Sequence, residues 1–210
     1  MPEAENFNIF QNTMGQIEAV KKSYEAIADE YDTEFEAKAE YAAPQYITEV
    51  FEEFDIRDGS ILDIGCGTGK LREYLGKNFQ YVGIDISPKM LSIAKNRGYE
   101  THEGDAIEQL QTLGDKSVDH IVALSSLYFI EDFHAFISEC ERVARRSLFI
   151  TLEQFDQRIT EMMKTRGIDL YNHDLSIITN PTKIFGDVYL WKRPKTEDRI
   201  FGDVVFKKVE

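Results

Sequence analysis

A glycine-rich loop at residues 61–70, with the sequence ILDIGCGTGK, is the first candidate for chemistry in this chain. Such a loop, placed after a short apolar run, can hold phosphates, a dinucleotide or another ligand that approaches the backbone closely. A nucleoside-triphosphate loop requires a glycine at position 64 and a Ser or Thr at position 71. Ile64 and Leu71 stand there, so the sequence excludes that class of phosphate loop.

The glycine spacing also departs from the dinucleotide fingerprint G-x-G-x-x-G, because the loop reads G-x-G-x-G with Lys70 at the last fingerprint position. We expect the Asp63 carboxylate, two residues before Gly65, to face the mouth of the loop. A carboxylate there repels a pyrophosphate and attracts a cation. The pattern therefore favours S-adenosylmethionine, which has no phosphate and carries an ammonium and a sulfonium. We expect Lys70 to be merely the first exposed residue of the following helix.

Two further carboxylates follow at positions that suit a nucleoside. Asp85, twenty residues after Gly65, ends an apolar run and can accept hydrogen bonds from both ribose hydroxyls. Nicotinamide cofactors use the same feature, so Asp85 does not discriminate between the two cofactor classes. Asp105, within Gly104-Asp105-Ala106, can accept from an exocyclic adenine amine, and it can equally cap a helix.

Strands and helices must alternate to bring these side chains together. The pattern predicts an α/β fold: a doubly wound, Rossmann-like, seven-stranded and mostly parallel sheet. Ser87-Pro88 predicts a helix start and Gly98 its end. The first five strands are predicted at 61–64, 81–85, 99–103, 118–126 and 147–153.

The two ends of the chain differ from this core. Residues 1 to 15 are polar and unpatterned, so we expect a flexible lead, followed by helices that form an N-terminal lid. IFGDV occurs at 184–188 and at 200–204, which predicts a C-terminal antiparallel hairpin at the sheet edge. The chain is predicted to form a single domain overall, with the lead and lid helices at 1–58 and the core at 59–210.

ILDIGCGTGK, YVGIDISPKML and EGDA, in this order and spacing, resemble the nucleotide-site motifs of the class I S-adenosylmethionine-dependent methyltransferases. VDHIVALSSLYFIED resembles the family's fourth strand and the loop beyond it, and SYEAIADEYD resembles the lid helix of small-molecule members. One departure is visible: the family's K-P-G-G turn is replaced by residues 144–147, ARRS, which implies a tighter entry into the fifth strand.

The resemblance implies that the cofactor is S-adenosylmethionine, with S-adenosylhomocysteine as the product. Asp63 and the loop glycines would line the methionine end, Asp85 would hold the ribose, and Asp105 would read the adenine edge. The residues implied to bind the cofactor are Tyr24, Tyr31, Asp63, Gly65, Cys66, Gly67, Asp85, Ile86, Asp105, Ala106 and Ser125.

Methyl transfer from a sulfonium is an in-line displacement that needs alignment of the reacting atoms and exclusion of water. A general base is needed only for a weakly acidic acceptor. We hypothesise that Tyr128 or His173 contacts the acceptor, as the catalytic residues of a small-molecule site. The remaining candidates for an aromatic-rich acceptor pocket are Tyr41, Phe129, Glu153, Tyr171 and Trp191.

The composition limits the possible partners. The formal net charge of −14 makes nucleic acid an unlikely partner. Two cysteines without metal-ligand spacing predict no metal site and no disulfide framework. Without a signal-like start or a long apolar stretch, we expect a cytoplasmic protein with no membrane contact, acting as a monomer or homodimer. A tRNA or protein methyltransferase and a non-catalytic S-adenosylmethionine-binding module remain as alternatives.

Overall fold

The structure is a computed structural model that describes residues 2–33, 43–173, 188–191 and 203–208, with side chains over 15–33 and 47–173. Tyr41 and the side chain of Trp191, both expected in the acceptor pocket, lie outside what is described. The helices are α1 Pro2–Ile27, α2 Ala43–Glu53, α3 Leu71–Leu75, α4 Pro88–Asn96, α5 Ala106–Thr112, α6 Phe133–Val143 and α7 Gln157–Lys164. The strands are β1 Gly59–Ile64, β2 Phe79–Asp85, β3 Glu100–Glu103, β4 Val118–Ala123, β5 Ala144–Leu152, β6 Val188–Trp191 and β7 Asp203–Lys208.

The described strands form one sheet in the order β3-β2-β1-β4-β5-β7-β6. The first five are parallel, which confirms the predicted Rossmann-like α/β core. β7 pairs antiparallel with β5 and with β6. The connection expected between the last two strands, 192–202, lies outside the described residues, so the hairpin stays a prediction. From β1 the chain adds β2 and β3 on one side of the sheet and then crosses back to add β4 and β5 on the other side. This switch between β1 and β4 leaves a crevice at the carboxyl ends of the two strands.

The two faces of the sheet carry separate apolar clusters, because successive strand residues point to opposite faces. In β1, Leu62 and Ile64 pack with the α5 and α6 side, whereas Ile61 packs with the α2 side. All three side chains are buried. These layers fix the β1 carboxyl end, from which the glycine loop leaves.

Several element boundaries differ from the sequence-based prediction. β4 ends at Ala123, not at residue 126, because Ser125 adopts a left-handed φ of 52° that extended pairing does not allow. α6 ends at Val143 and β5 begins at Ala144, so the connection is as tight as predicted. α4 begins as predicted, with Ser87 Oγ accepting from the Met90 amide at 3.3 Å.

The N-terminal region also differs from expectation. α1 already begins at Pro2, so the segment expected as a flexible lead is helical. Its Glu, Ala, Gln and Met residues favour helix without an apolar stripe. In α2, Ile47, Val50 and Phe51 are buried within the sheet core, although the predicted boundary at residue 58 groups them with the lid. Among the described helices, none has the length and apolarity needed to cross a bilayer.

Candidate active site

A cleft opens at the carboxyl ends of β1, β2 and β4, and residues of α1 cover it. It encloses about 980 Å³, including its open mouth. We call residues 64–68, 84–86 and 104–106 the floor, and residues 16–32 the cover. The described lining residues are Gln16, Ile17, Val20, Tyr24, Tyr31, Ile64, Gly65, Cys66, Gly67, Thr68, Lys70, Ile84, Asp85, Ile86, Gly104, Asp105, Ala106, Leu124, Ser125, Ser126, Phe129 and Ile130.

Backbone hydrogen bonds shape the glycine loop. The amides of Gly65 and Cys66 both donate to the Ile84 carbonyl, at 2.8 and 3.1 Å, which ties the loop to the end of β2. Gly65 has a φ of 67°, and a Cβ atom there would lie 2.4 Å from the Ser126 Cβ. Gly67, with a φ of 52°, leaves open space where its Cβ would stand. The loop therefore packs tightly at Gly65 and exposes its backbone to the cleft at Gly67.

Asp85 lines the cleft and joins two parts of the floor. Its Oδ2 accepts from the Gly67 amide at 2.9 Å, and its Oδ1 accepts from the Ser87 amide at 2.9 Å. Burial raises the pKa of the Asp85 carboxyl, although the amide donors counteract part of that rise. A carboxylate offers about four lone-pair sites. Asp85 therefore retains capacity for hydroxyl donors from the cleft.

The third part of the floor begins at β3. Asp105 caps α5, its Oδ1 accepting from the amides of Ile107 and Glu108 at 2.9 and 3.1 Å. Asp105, Ala106 and, from the end of β2, Ile86 all line the cleft. Capping and ligand contact are compatible, because the cap uses only one carboxylate oxygen.

The prediction that Asp63 faces the mouth of the loop is wrong. Asp63 is missing from the described lining residues, and its Oδ2 accepts from the Tyr99 hydroxyl at 2.9 Å behind the loop. β1 is central in the sheet, so a residue one position before Ile64 is covered on its own face. Burial, and secondarily the negative charge of Asp85, raises the pKa of Asp63 to about 7.

Lys70 was expected to be a solvated helix residue, but it lines the cleft with its side chain only 15% exposed. Its Nζ lies 2.9 Å from Glu73 Oε2. Of the described lining residues, Lys70 is the sole lysine or arginine. The glycine turn was a sequence signal for this position of Lys70. The residue directly after a close-packed glycine loop lies at the start of the next helix, beside the ligand.

Aromatic rings form the wall between floor and cover. Tyr24 contacts Tyr31 and Phe129, each at 6.0 Å between ring centroids, and all three line the cleft. Tyr128 lies behind them, its ring centroid 4.4 Å from that of Phe129 and its ring plane tilted by 57°, and it packs in one apolar cluster with Tyr24 and Phe129. Burial raises the pKa of Tyr128 well above its ordinary value, and the Tyr24 hydroxyl interacts with it. Tyr128 is therefore adjacent to the cleft and keeps its proton.

Ser125 sits at the end of β4 in a strained backbone conformation. Its amide donates to Thr151 Oγ1 at 2.7 Å, and its hydroxyl donates to Glu153 Oε1 at 2.9 Å. Glu153 is buried. Left-handed non-glycine residues persist where surrounding contacts hold them, often at functional sites. Ser125 thus links the cleft to a buried carboxylate at the end of β5.

The structure does not bring His173 into the cleft. Its ring stacks on Phe133 at 4.1 Å, and its Nε2 lies 2.8 Å from the Leu127 carbonyl oxygen. Burial lowers the pKa of His173. Tyr171 likewise lies beside the cover, where its hydroxyl donates to Gln16 Oε1 at 3.5 Å. Gln16 and Ser126 also line the cleft, although the sequence analysis did not single them out.

Cys66 lies within the glycine loop and is buried. Burial raises the pKa of its thiol well above the ordinary value, so the thiol stays protonated. Its side chain fills the space above Gly83, where an added Cβ would lie 2.6 Å from the sulfur. Cys66 therefore acts in packing, with its backbone beside the cleft.

Comparison with known proteins gives a family for part of the chain. Residues 62–150 match the methyltransferase domain family. A fatty-acid O-methyltransferase from Mycolicibacterium smegmatis is 30% identical over 98 residues, covering 43% of this chain and 35% of the relative. A ubiquinone biosynthesis O-methyltransferase from Hahella chejuensis is 32% identical over 91 residues, covering 40% and 38%. The chain thus spans little more than a third of these relatives.

Solved structures share the fold. Magnesium protoporphyrin IX methyltransferase from Synechocystis PCC 6803, crystallised with S-adenosylhomocysteine, superposes with a TM-score of 0.62 at 21% identity, covering 80% of this chain and 81% of that one. A possible histamine N-methyltransferase from Thermotoga maritima superposes with a TM-score of 0.62 at 19% identity, covering 90% and 98%. Residues 62–150 are therefore similar to the methyltransferase domain family, and the chain has the Rossmann-like fold of these solved structures, as the sequence motifs predict.

Proposed function

We propose that this protein transfers a methyl group from S-adenosylmethionine to a small organic acceptor by direct in-line displacement, releasing S-adenosylhomocysteine. The observation that carries the proposal is the convergence of three strand ends on one cleft. Gly65 and Gly67, Asp85, and Asp105 with Ala106 line the same space in the order that the motifs imply.

The chemistry of the floor fits this cofactor. Asp85 has acceptor capacity for the two ribose hydroxyls, and Asp105 has a second oxygen beyond its cap for the adenine amine. The open space at Gly67 lets the ligand approach the backbone. Lys70 supplies a cation for the methionine carboxylate. The Asp85 carboxyl, which lines the cleft, also favours a cationic ligand there.

When bound, S-adenosylmethionine would supply an electrophilic methyl group on its sulfonium. The chain's own contribution is to hold the reacting groups in line and to keep water out. Tyr24, Tyr31 and Phe129 form the apolar wall that excludes water from the cover side. No covalent step is required of the protein.

The acceptor side of the cleft is predominantly apolar. Ile17, Val20, Phe129 and Ile130 line the cleft there, together with the polar residues Gln16 and Ser126. This lining suits a small organic molecule with one or two polar groups. The names of the two curated relatives, which are O-methyltransferases, support the same class of acceptor. Of the two catalytic candidates, Tyr128 packs against Phe129 at the edge of the cleft, and we propose that it acts on the acceptor from there. His173 packs on Phe133 and has a structural role.

Two secondary expectations accompany the proposal. Both cysteines are buried free thiols, which supports a reducing, cytoplasmic location. Action as a monomer or homodimer stays a prediction.

The proposal is tested by incubating the protein with S-adenosylmethionine labelled at the methyl group and a fractionated metabolite extract. We expect label to move into a small-molecule fraction, and not into RNA or protein supplied in parallel. The variant Tyr128→Phe should change the KM or kcat for that acceptor, whereas Tyr171→Phe should not. Label found in RNA or protein would reassign the acceptor class, and binding without transfer to any of them would indicate a non-catalytic module.

A further inference from the structure

Among the described residues, three ion pairs join the cover to the core around the cleft. Lys21 pairs with Glu103 at the end of β3, at 2.7 Å. Asp29 pairs with Lys89 in the first turn of α4, at 2.8 Å. The third pair involves Asp32, the last residue of the cover. The three ion pairs differ in the part of the core that they reach and in the exposure of their side chains.

The Asp32 contacts reach the glycine loop directly. Thr68 Oγ1 donates to Asp32 Oδ1 at 2.6 Å. The Arg97 guanidinium pairs with Asp32 Oδ2 through Nη2 and donates to the Thr68 carbonyl through Nη1, at 2.7 Å. One arginine therefore holds the cover and the loop backbone at once. We call these three residues the clamp.

The Asp32–Arg97 pair of the clamp is the least exposed of the three ion pairs. The side chains of Asp32 and Arg97 are each 23% exposed, whereas those of Lys89 and Asp29 are 42% and 75% exposed. A shielded pair with several hydrogen bonds is screened less by water and salt than an exposed one. Arg97 also reaches Glu73 through Nε at 3.0 Å, and Glu73 in turn pairs with Lys70.

The clamp lies at the edge of the cleft. Tyr31, the residue before Asp32, lines the cleft and contacts Tyr24. Thr68 also lines it, next to Gly67, whereas Arg97 is not among the described lining residues. Breaking the clamp would free the tyrosine wall on one side and the loop backbone on the other, without removing a group that faces the ligand.

We propose that Asp32 and Arg97 are positioning residues whose contact through Thr68 fastens the cover across the cleft, so that the cofactor enters and leaves only when this contact opens. The inference rests on the proposed function, because it takes the ligand of the cleft to be S-adenosylmethionine or its product. It assigns a role to two residues that the cofactor motifs do not include.

The test compares Asp32→Asn and Arg97→Met with Asp29→Asn, an exposed cover carboxylate whose partner is outside the loop. The dissociation rate of S-adenosylhomocysteine is measured by stopped-flow competition. We expect about a 10-fold faster rate in the two clamp variants, because a shielded, hydrogen-bonded charge pair is lost. Asp29→Asn should remain within about 2-fold of the wild type. Asp32→Glu should restore most of the slow rate.

A second readout needs no ligand. Hydrogen exchange of residues 16–33 in the ligand-free protein should accelerate in Asp32→Asn and Arg97→Met, while exchange in β1 and β4 stays unchanged. Equal dissociation rates in wild type and clamp variants, with unchanged exchange in the cover, would overturn the clamp. Failure of the wild type to bind S-adenosylhomocysteine would instead overturn the proposed function, and faster exchange in β1 and β4 as well would show a merely structural role.

Discussion

The floor and the cover of the cleft are held by different kinds of contact. In the floor, main-chain groups of neighbouring strands and loops bond to one another, as Gly65 and Cys66 do with Ile84, and Asp85 accepts from two amides. In the cover, charged side chains reach across from α1 and the following turn to partners 60 or more residues away in the core, such as Lys89 for Asp29 and Arg97 for Asp32.

From this difference we expect the floor to be rigid and the contacts of the cover to open and re-form. Floor contacts are buried, short and made mostly by the backbone, so breaking one also disturbs the sheet. Cover contacts depend on long side chains that can release and re-form without unfolding the sheet. A ligand enclosed by both can bind tightly and still leave.

The largest effect is expected where the floor is packed most tightly. Gly65→Ala should lower the free energy of unfolding by about 4 kcal/mol, because a left-handed φ and a Cβ only 2.4 Å from Ser126 add together. Gly67→Ala, also left-handed but facing open space, should cost about 1 kcal/mol. Urea unfolding of the ligand-free variants measures both. Equal losses would show that the floor is not packed as described.

The buried carboxyl of Asp63, directly before the floor, should make the stability of the protein depend on pH. The pKa of Asp63 is about 7 in the folded state against an ordinary 3.8, so the folded state holds a proton that the unfolded state has lost. Stability should therefore fall as pH rises from about 4 to about 7, and level off above that.

The comparison with Asp63→Asn isolates this contribution. Between pH 4.5 and 7.5, the wild type should lose about 3 kcal/mol relative to the variant, whose amide oxygen can still accept from Tyr99. Urea unfolding at the two pH values gives the difference. A constant difference between the two proteins would mean that Asp63 ionises freely, against the burial seen in the structure.

Lys70 lines the cleft just after the floor residues 64–68, and replacing it should affect the recognition of only one part of the ligand. Lys70→Met should weaken S-adenosylhomocysteine binding by about 1 kcal/mol, roughly 5-fold, by removing a charge-assisted contact to the carboxylate. Binding of 5′-methylthioadenosine, which has no carboxylate, should not change. Calorimetry with both ligands checks this, and equal weakening of both would remove Lys70 from carboxylate recognition.

The smallest effect is expected in the exposed part of the cover. Lys89→Met should change the free energy of unfolding by less than about 0.5 kcal/mol, because both partners of the Lys89–Asp29 pair are largely solvated. Thermal unfolding at low and high salt measures this. A loss of stability comparable to that of Gly65→Ala would contradict the distinction between floor and cover.

The same distinction explains what the sequence could predict. The floor follows from local patterns: glycines where φ is positive, carboxylates directly after strands, and Ser87 before Pro88 as a helix start. These features depend on a few neighbouring residues. The parallel sheet and the converging strand ends were therefore predictable, and five parallel strands confirm the core.

The remaining features depend on distant neighbours. The orientation of Asp63 is set by Tyr99, and the position of His173 is set by Phe133 and the Leu127 carbonyl. The clamp joins Asp32 to a loop and a helix end that no motif links to it. Side-chain contacts over such separations require the folded structure.

The central claim, that the floor holds an S-adenosyl nucleoside and not a dinucleotide, is tested most directly by calorimetry of the wild type and Asp85→Ala. The account predicts that S-adenosylhomocysteine binds to the wild type, that NADH does not, and that Asp85→Ala weakens the binding by about 1–3 kcal/mol through the loss of charge-assisted hydrogen bonds. Binding of NADH in preference to S-adenosylhomocysteine, or an affinity for S-adenosylhomocysteine that is unchanged in Asp85→Ala, would contradict it.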